Sequence, residues 1–435
     1  DDVMAKISVE GVKSAFQDWP DSVVAVDGGE IQGKLLQRKT WLKSGMLEYY
    51  QFLAKEVDVI GTDKNELFKV DYLPDGRVEV FLRKIDKSGD LEQELYRRVF
   101  FPEETNEIRL YGLDGDDIFE FTGEGTGKIK VRVIPGNGEK VIRDNGTTKK
   151  RNTLIYQGSN KKASVAIGSS AKVKRKPSKI AYDRKSYKYD KLLPLASVAY
   201  NRDDGIYIGA GLLWEKQGFK KEPFGIRQSV MSKFAFKTNA FNVEYKGQAV
   251  DVLSDLDLIW SADIRAPQYS FNFFGMGNES VYNRESFEIA YYRARFNWYE
   301  LKTGLQTKLG ESGNLTLGPQ FQAFENTNKF ITSSESGLDQ AELDKARYYS
   351  GIFAKVFFDT RDHEKLPSRG VLFEAQSQKM WGLNDYSGSF TKINAELAMY
   401  WSFRYPSRLV WATKFGAGRN WGNYAFFQEI GRAHV

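Results

Sequence analysis

Residues 254–266 read SDLDLIWSADIRA. Taken two at a time, Leu256, Leu258, Trp260, Ala262, Ile264 and Ala266 make one face. Asp255, Asp257, Ser261, Asp263 and Arg265 make the other, with Ile259 the exception. Side chains alternate across a strand, so this stretch is a strand with one apolar and one charged face. A strand of a soluble sandwich is usually about half as long. A strand that crosses a bilayer needs roughly 9–11 residues, apolar towards lipid and polar towards a watery lumen.

The pattern returns along the chain after residue 192. Ile206, Ile208, Ala210, Leu212 and Trp214 form one such set, and Phe241, Val243, Tyr245 and Ala249 another. Ala290, Tyr292, Ala294, Phe296 and Trp298 follow, then Leu315, Leu317, Phe321 and Ala323, then Ile393, Ala395, Leu397, Met399 and Trp401. Connections alternate between short, as at Tyr405-Pro406-Ser407, and long, as over residues 326–347. Short turns at one end and long loops at the other are what a membrane β-barrel shows. The reading predicts eleven or twelve strands, with Trp260, Ile264, Tyr245 and Trp298 facing lipid and Asp257, Asp263, Glu244 and Arg295 facing the lumen. Composition agrees. Mean hydropathy is −0.50 and no apolar run approaches the roughly 20 residues of a membrane helix, whereas a barrel's lumen-facing half keeps hydropathy low. Aromatics at 14% suit interfacial girdles. The absence of cysteine excludes disulfides and cysteine-based chemistry.

The first part of the chain is different. Residues 1–56 read helical, with Leu35, Leu42, Met46, Tyr49 and Leu53 on a packing face at spacings of three, four or seven. From residue 57 the period changes to two, which predicts a small β-rich domain over 57–148. Leu73-Pro74-Asp75-Gly76 is a turn inside it. Residues 112–120, GLDGDDIFE, fit the nonapeptide of calcium-binding β-rolls except for Leu113 in place of the second glycine. A worn second copy, PGNGEKVIR, spans 135–143. Asp114, Asp116 and Asp117 are therefore candidate calcium ligands. The alternative is a structural Gly-Asp turn, because Lys140 stands where the second copy needs an aspartate. Residues 149–191 hold fourteen Lys or Arg and only Asp183 and Asp190 as acids. They read as a basic linker, either solvated or drawn to anionic lipid headgroups. No nucleic-acid motif is present, and no nucleic-acid partner is expected.

The chain resembles the bacterial surface antigen family, the BamA/TamA superfamily of outer-membrane barrels. The resemblance rests on three stretches. Phe273-Phe274-Gly275-Met276-Gly277-Asn278-Glu279 is one. Asp359-Thr360-Arg361-Asp362, followed by Leu366-Pro367-Ser368-Arg369-Gly370, is similar to an inter-strand turn of that family. Asp203-Asp204-Gly205 with Gly209-Ala210-Gly211 is similar to its first hairpin. The resemblance implies a sixteen-stranded antiparallel transmembrane barrel, of which residues 192–428 are an incomplete part, preceded by a small helix-plus-β domain. It implies an outer-membrane location in a Gram-negative bacterium, with residues 1–191 in the periplasm. Gly61-Thr62-Asp63, Glu66-Leu67-Phe68 and residues 107–113 resemble the linker of a subgroup whose barrel follows a calcineurin-like metallophosphoesterase. That implies an enzyme domain upstream of Asp1. Residues 429–435, EIGRAHV, have one codon set that spells a sequencing adapter after its first base. The natural reading is expected to end near Gln428.

Three functions are compatible with these features. The first is a barrel that inserts or translocates polypeptide, or anchors and exports its upstream domain, with outer-membrane lipid and polypeptide as partners. The second is a passive diffusion porin. The third is an enzyme, for which His363 is the one credible histidine. It lies in a charged turn with no positioned serine and aspartate around it, so it reads as a turn residue. No catalytic residue and no cofactor is expected within this chain, apart from the calcium candidate.

Overall fold

The computed structural model describes residues 8–125, 127–145, 152–157, 163–166, 172–175, 182–201, 204–253, 255–272, 274, 282, 284–285, 288–289, 291–326, 345–404, 408–425 and 428. Gly275, Gly277, Asn278, Asp203 and residues 429–435 lie outside them, as do the side chains of Arg295 and of residues 163–166 and 172–175. The chain divides into two compact units, 1–186 and 187–435.

The first unit opens with α1 (Val9–Ser14), α2 (Asp21–Val23), a π-helical turn (Val24–Gly28) and α3 (Gly29–Ala54). Helix is present over 9–14 and 21–54 of the stretch read as helical, whose residues 1–7 lie outside the described ones, but the expected packing face is not packed. Leu35, Met46, Tyr49 and Leu53 are exposed, and Ala54 is the one buried residue of α3. Periodicity reports that a helix can bury a face, not that something covers it.

The strands β1 (Glu56–Ile60), β2 (Glu66–Tyr72), β3 (Val78–Ile85), β4 (Leu91–Phe100) and β5 (Glu107–Tyr111) occupy the stretch where the period changes to two. Beyond them run β6 (Asp117–Gly123), β7 (Lys130–Ile134), β8 (Lys140–Asp144), β9 (Thr153–Gln157), β10 (Ala163–Ala166) and β11 (Lys172–Arg175). One sheet runs β1-β5-β7-β9-β11, all parallel; the other runs β10-β8-β6-β2-β3-β4, where the β2–β3 and β3–β4 pairings are antiparallel and the rest parallel. From β5 on, successive strands alternate between the two sheets. The chain therefore coils: β5 lies on β1 and β6 on β2, and each strand from β7 to β11 lies on the one two places before it. Glu107 pairs with Lys130 and Asp117 with Lys140, a repeat of 23 residues. Val59, Phe68, Val70, Ile108, Leu110, Phe119, Phe121, Val131, Val133, Ile142 and Ile155 fill the space between the sheets.

Three strands of this coil, β9 to β11, lie in the stretch read as a basic linker, so the β domain continues past residue 148. Each is only four or five residues long, too short for alternation to stand out among so many lysines. Tyr72 and Thr153 share a buried hydroxyl–hydroxyl hydrogen bond of 2.6 Å, which ties β9 to the opposite sheet. On the outer face, Arg109 and Arg132 stand at the same register and each places Nε 2.7 Å from Glu107. Burial opposes charge on Glu107, but Arg132 and Arg109 prevail and hold its carboxyl below the usual range.

The second unit is one antiparallel sheet. Its eleven strands are β12 (Lys191–Asn201), β13 (Gly205–Lys216), β14 (Ile226–Ala235), β15 (Ala240–Leu253), β16 (Leu256–Asn272), β17 (Arg293–Leu309), β18 (Gly313–Asn326), β19 (Arg347–Asp359), β20 (Gly370–Gly382), β21 (Phe390–Arg404) and β22 (Arg408–Gly422). Each pairs with its neighbours in sequence, and β12 and β22 are the edges. The strands are 10 to 17 residues long. The long connections after β16 and β18 leave from one end of the sheet; the β15–β16, β17–β18 and β19–β20 turns are at the other.

The turns of the coil stack tightly enough to test. Gly138 has φ +92°, and a Cβ there would lie 1.9 Å from the Gly115 carbonyl oxygen. Gly89, at the β3–β4 hairpin tip, has φ +90°, but a Cβ there would meet no atom within 4 Å. Gly138→Ala is expected to destabilise residues 1–186 by about 3 kcal/mol or more, and Gly89→Ala by only the about 1–2 kcal/mol of backbone strain. Urea unfolding followed by circular dichroism measures both, and equal losses would count against the stacked turns.

Candidate functional site

Two polar turns and one polar sheet face carry the side chains that the sequence singles out. The first turn set belongs to the coil. Residues 61–65, 112–116 and 135–139 connect the two sheets in successive tiers. The Asn65 amide oxygen accepts from Asp116 N at 2.9 Å, and Asp116 Oδ1 accepts from Glu139 N at 2.7 Å. Asn137 Nδ2 donates to Asp114 Oδ1 at 2.9 Å. One residue further on, Asp117 Oδ1 accepts from Glu66 N at 3.0 Å and Oδ2 accepts from Lys140 Nζ. The three candidate calcium ligands thus belong to one turn stack, each carboxylate bonded to the tier beside it. Among the described residues, no group of three or more His, Cys, Asp or Glu is arranged to hold a metal ion.

Glu66, Asp117 and Lys140 are all buried. Glu66 accepts from Thr62 N at 3.1 Å and from the Thr62 hydroxyl. Burial pushes the Asp117 carboxyl up to about 7, against the pull of Lys140. The Lys140 ammonium supplies a positive charge between the tiers. Leu113, which replaces the second glycine of the nonapeptide, holds φ at +53°. The turn geometry of a roll is therefore kept, with an ion pair between its tiers.

The second turn joins β19 to β20. Asp359 takes Arg361 N, Nε and Nη2 at 3.1, 2.9 and 2.8 Å. Asp362 accepts from Ser368 N at 2.8 Å, from Arg369 N at 3.1 Å and from the Ser368 hydroxyl. Those donors hold the Asp362 carboxyl well below the usual carboxylate range. Thr360 and Val371 exchange backbone and hydroxyl hydrogen bonds, which closes the turn so that Gly370 opens β20. Pro367 has no N–H to satisfy and sits between the two anchored ends. Arg369 Nε donates to Ser402 Oγ on β21 at 2.8 Å. The motif residues Asp359, Arg361, Asp362, Pro367, Arg369 and Gly370 thus build one self-bonded turn. His363 belongs to it as well: Nδ1 accepts from Lys365 N at 3.2 Å and Leu366 N at 3.0 Å. Asp204, from the first hairpin, is buried and accepts from Tyr207 Oη at 2.7 Å and Thr238 Oγ1 at 2.8 Å.

The third feature is the face of the large sheet that carries Asp257 and Asp263. Asn242 donates to Asp263 at 2.9 Å, Gln248 to Asp257 at 3.0 Å, Gln306 to Thr316 at 3.2 Å, Gln322 to Glu300 at 2.7 Å and Gln320 to Gln378 at 3.2 Å. Ion pairs along single strands join Asp263 to Arg265, Glu300 to Lys302 and Glu244 to Lys246. Lys355–Glu374 and Lys414–Glu396 bridge neighbouring strands at 2.9 Å each. On the opposite face, Gly247 pairs with Trp260, Tyr245 with Ala262 and Val243 with Ile264. Leu212, Leu301, Leu305, Leu317, Ile352, Ile393 and Phe415 are exposed there.

One face assignment is corrected. Trp298 pairs with Arg265 and Phe324 and so shares the polar face with Glu300 and Lys302. It joins an aromatic group at the long-loop end, where the tilted rings of Phe296 and Phe324 lie 4.7 Å apart and Tyr349 meets Phe390 at 5.6 Å. Phe296, Phe324, Tyr349, Met380 and Phe390 are all buried. An apolar run reports burial, and here the burial is against protein on the polar face.

Residues 255–427, which span β16 to β22, match the family model of the OMP85 superfamily. The crystal structure of BamA from Haemophilus ducreyi lacking POTRA domains 1-3 is similar with a TM-score of 0.38 and 12% identity, over 54% of this chain and 41% of that one. The chain thus spans less than half the length of that protein. No curated protein matches the chain.

Lys140→Met leaves Asp117 buried without its cation and is expected to cost about 3–5 kcal/mol in urea unfolding of residues 1–186. Adding Asp117→Asn, which keeps the acceptor for Glu66 N, should recover most of the loss. Millimolar calcium should leave the melting temperature of the wild-type unit unchanged; a rise would support the metal reading instead.

Proposed function

We propose that the eleven-stranded sheet is part of the wall of an outer-membrane β-barrel of the OMP85 type. Its role is to insert or translocate polypeptide, or to anchor and export a domain carried upstream of Asp1. The observation that carries the reading is the two-faced sheet whose strands β16 to β22 match the superfamily. Strands of 10 to 17 residues with an exposed apolar face suit a hydrocarbon layer. The opposite face, bonded laterally through Asn, Gln, Asp, Glu, Lys and Arg, suits a watery lumen. In this reading the apolar face meets outer-membrane lipid and residues 1–191 stand in the periplasm. The resemblance of residues 61–68 and 107–113 to a linker that follows a calcineurin-like metallophosphoesterase supports an enzyme as the exported domain.

The role is tested by reconstituting the protein in liposomes with an unfolded outer-membrane protein as client. Faster client insertion, or protease protection of a fused upstream domain, is expected. Steady ion conductance with no effect on either would instead support a diffusion porin.

The lipid contact makes a separate prediction. Leu317 is 57% exposed on the apolar face. Leu317→Arg should cost about 2–4 kcal/mol of folding stability in lipid, and Gln378→Arg on the polar face much less. Refolding into vesicles with a heat-modifiability readout compares them. Equal losses would count against a lipid-facing surface.

A further inference from the structure

Glu66, Asp117 and Lys140 open three neighbouring strands of the coil, β2, β6 and β8. Asp117 pairs with Lys140, and Leu67 with Ile118, so Glu66 stands level with them on the far side of Asp117. Glu66 is 0% exposed, and Asp117 and Lys140 are each 1% exposed. Lys140 Nζ donates to Asp117 Oδ2, and the Glu66 backbone N–H donates to Asp117 Oδ1 at 3.0 Å. Each carboxylate lies against a glycine five residues before it. A Cβ on Gly61 would come within 2.7 Å of Glu66 Oε2, and one on Gly112 within 2.6 Å of Asp117 Oδ2. The rings of Phe68 and Phe119, which stack at 4.7 Å, border the same two places. An amine and a carboxyl are thus held in contact between close-packed backbone and two aromatic rings.

In water an amine and a carboxyl stay an ion pair, because water solvates both charges and hydrolyses the amide they could form. Neither condition holds here. Burial makes the separated charges costly. Fixed contact replaces a chance encounter with an effectively unimolecular step. The Glu66 N–H is aimed at the oxygen on which negative charge develops when an amine adds to the carboxyl carbon, which is how an oxyanion is stabilised. Stability alone gives little reason for this chemistry, since a buried ion pair is often no more stabilising than two apolar residues of similar volume.

We propose that Lys140 and Asp117 join in an intramolecular isopeptide bond, formed by the folded unit itself. The ion pair described above is the reactant. The ammonium passes one proton to Asp117 Oδ2, which leaves a neutral amine and a carboxylic acid. Nζ then adds to Cγ, a second Nζ proton moves to Oδ2, and the Cγ–Oδ2 bond breaks. The products are one amide and one water, so no oxidant, reductant or further reactant is consumed. Lys140 is the nucleophile and Asp117 the acyl donor, while the Glu66 N–H polarises the carbonyl. The bond clamps β6 to β8, two successive tiers of one sheet, and closes a loop of 23 residues.

The test is the mass of the full chain, purified and then denatured. A species lighter by one water than the sequence is expected. Trypsin cannot cut after an acylated lysine, so the digest should hold residues 110–128 joined to 133–143 as one branched peptide. Tandem mass spectrometry should place the link between Asp117 and Lys140. Lys140→Arg, which keeps the positive charge, should keep its full mass at unchanged circular dichroism. Asp117→Asn should form the same link with loss of ammonia in place of water. Recovery of 110–128 and 133–140 only as separate peptides of full mass from the wild-type chain overturns the proposal. Loss of water at Asp75 or Asp114 without a branch also overturns it, since an aspartate before glycine can cyclise on its own backbone. A branch that persists in Lys140→Arg does the same.

Discussion

The pleat of the β-strand is the constraint on which both units depend. Neighbouring side chains point to opposite faces, so every strand must satisfy two environments at once. In the first unit the inner environment is a dry core between two sheets, and the outer one carries the Glu107–Arg109–Arg132 ladder. In the second unit one face is an exposed apolar surface and the other a lateral network of amides and ion pairs. A one-residue slip in any strand would exchange the two sets, so register is strongly specified.

The buried polar groups show how the coil keeps its turns in line. Parallel strands laid tier on tier bring equivalent turn residues to the same place. Asn65, Asp116 and Glu139 recur at one level, and each of the first two accepts a backbone N–H from the next tier. Glu66, Asp117 and Lys140 recur one residue later and are buried. Stacked carboxylates alone would repel, and a calcium-binding roll meets that with metal. Here a lysine supplies the positive charge. A turn stack of this kind can thus keep its shape with a side-chain cation between tiers.

The β19–β20 turn is the corresponding device in the second unit. Its carboxylates are consumed by its own backbone and by Arg361, and its histidine caps two amides. Residues that look chemically active in sequence are engaged in holding a shape.

Much of this was legible in the sequence because period two is local. The faces of β13, β15, β16, β18 and β21, the strands β1 to β5 and the span of the helix all follow from residues a few positions apart. Three things were not. The coil over β9 to β11 depends on strands of four or five residues whose inward positions are recognisable only when stacked on β5 to β8. The 23-residue repeat showed in the sequence only as the two nonapeptide-like turns at 112–120 and 135–143, because the later turns are degenerate. The face of Trp298 depended on its pairing with Arg265 and Phe324, because an aromatic residue is at home against lipid or under a loop. The exposure of α3 likewise depended on what lies beside it. Local sequence sets which side chains share a face. Only the tertiary structure decides what that face meets, because burial is a property of neighbours brought together from distant parts of the chain.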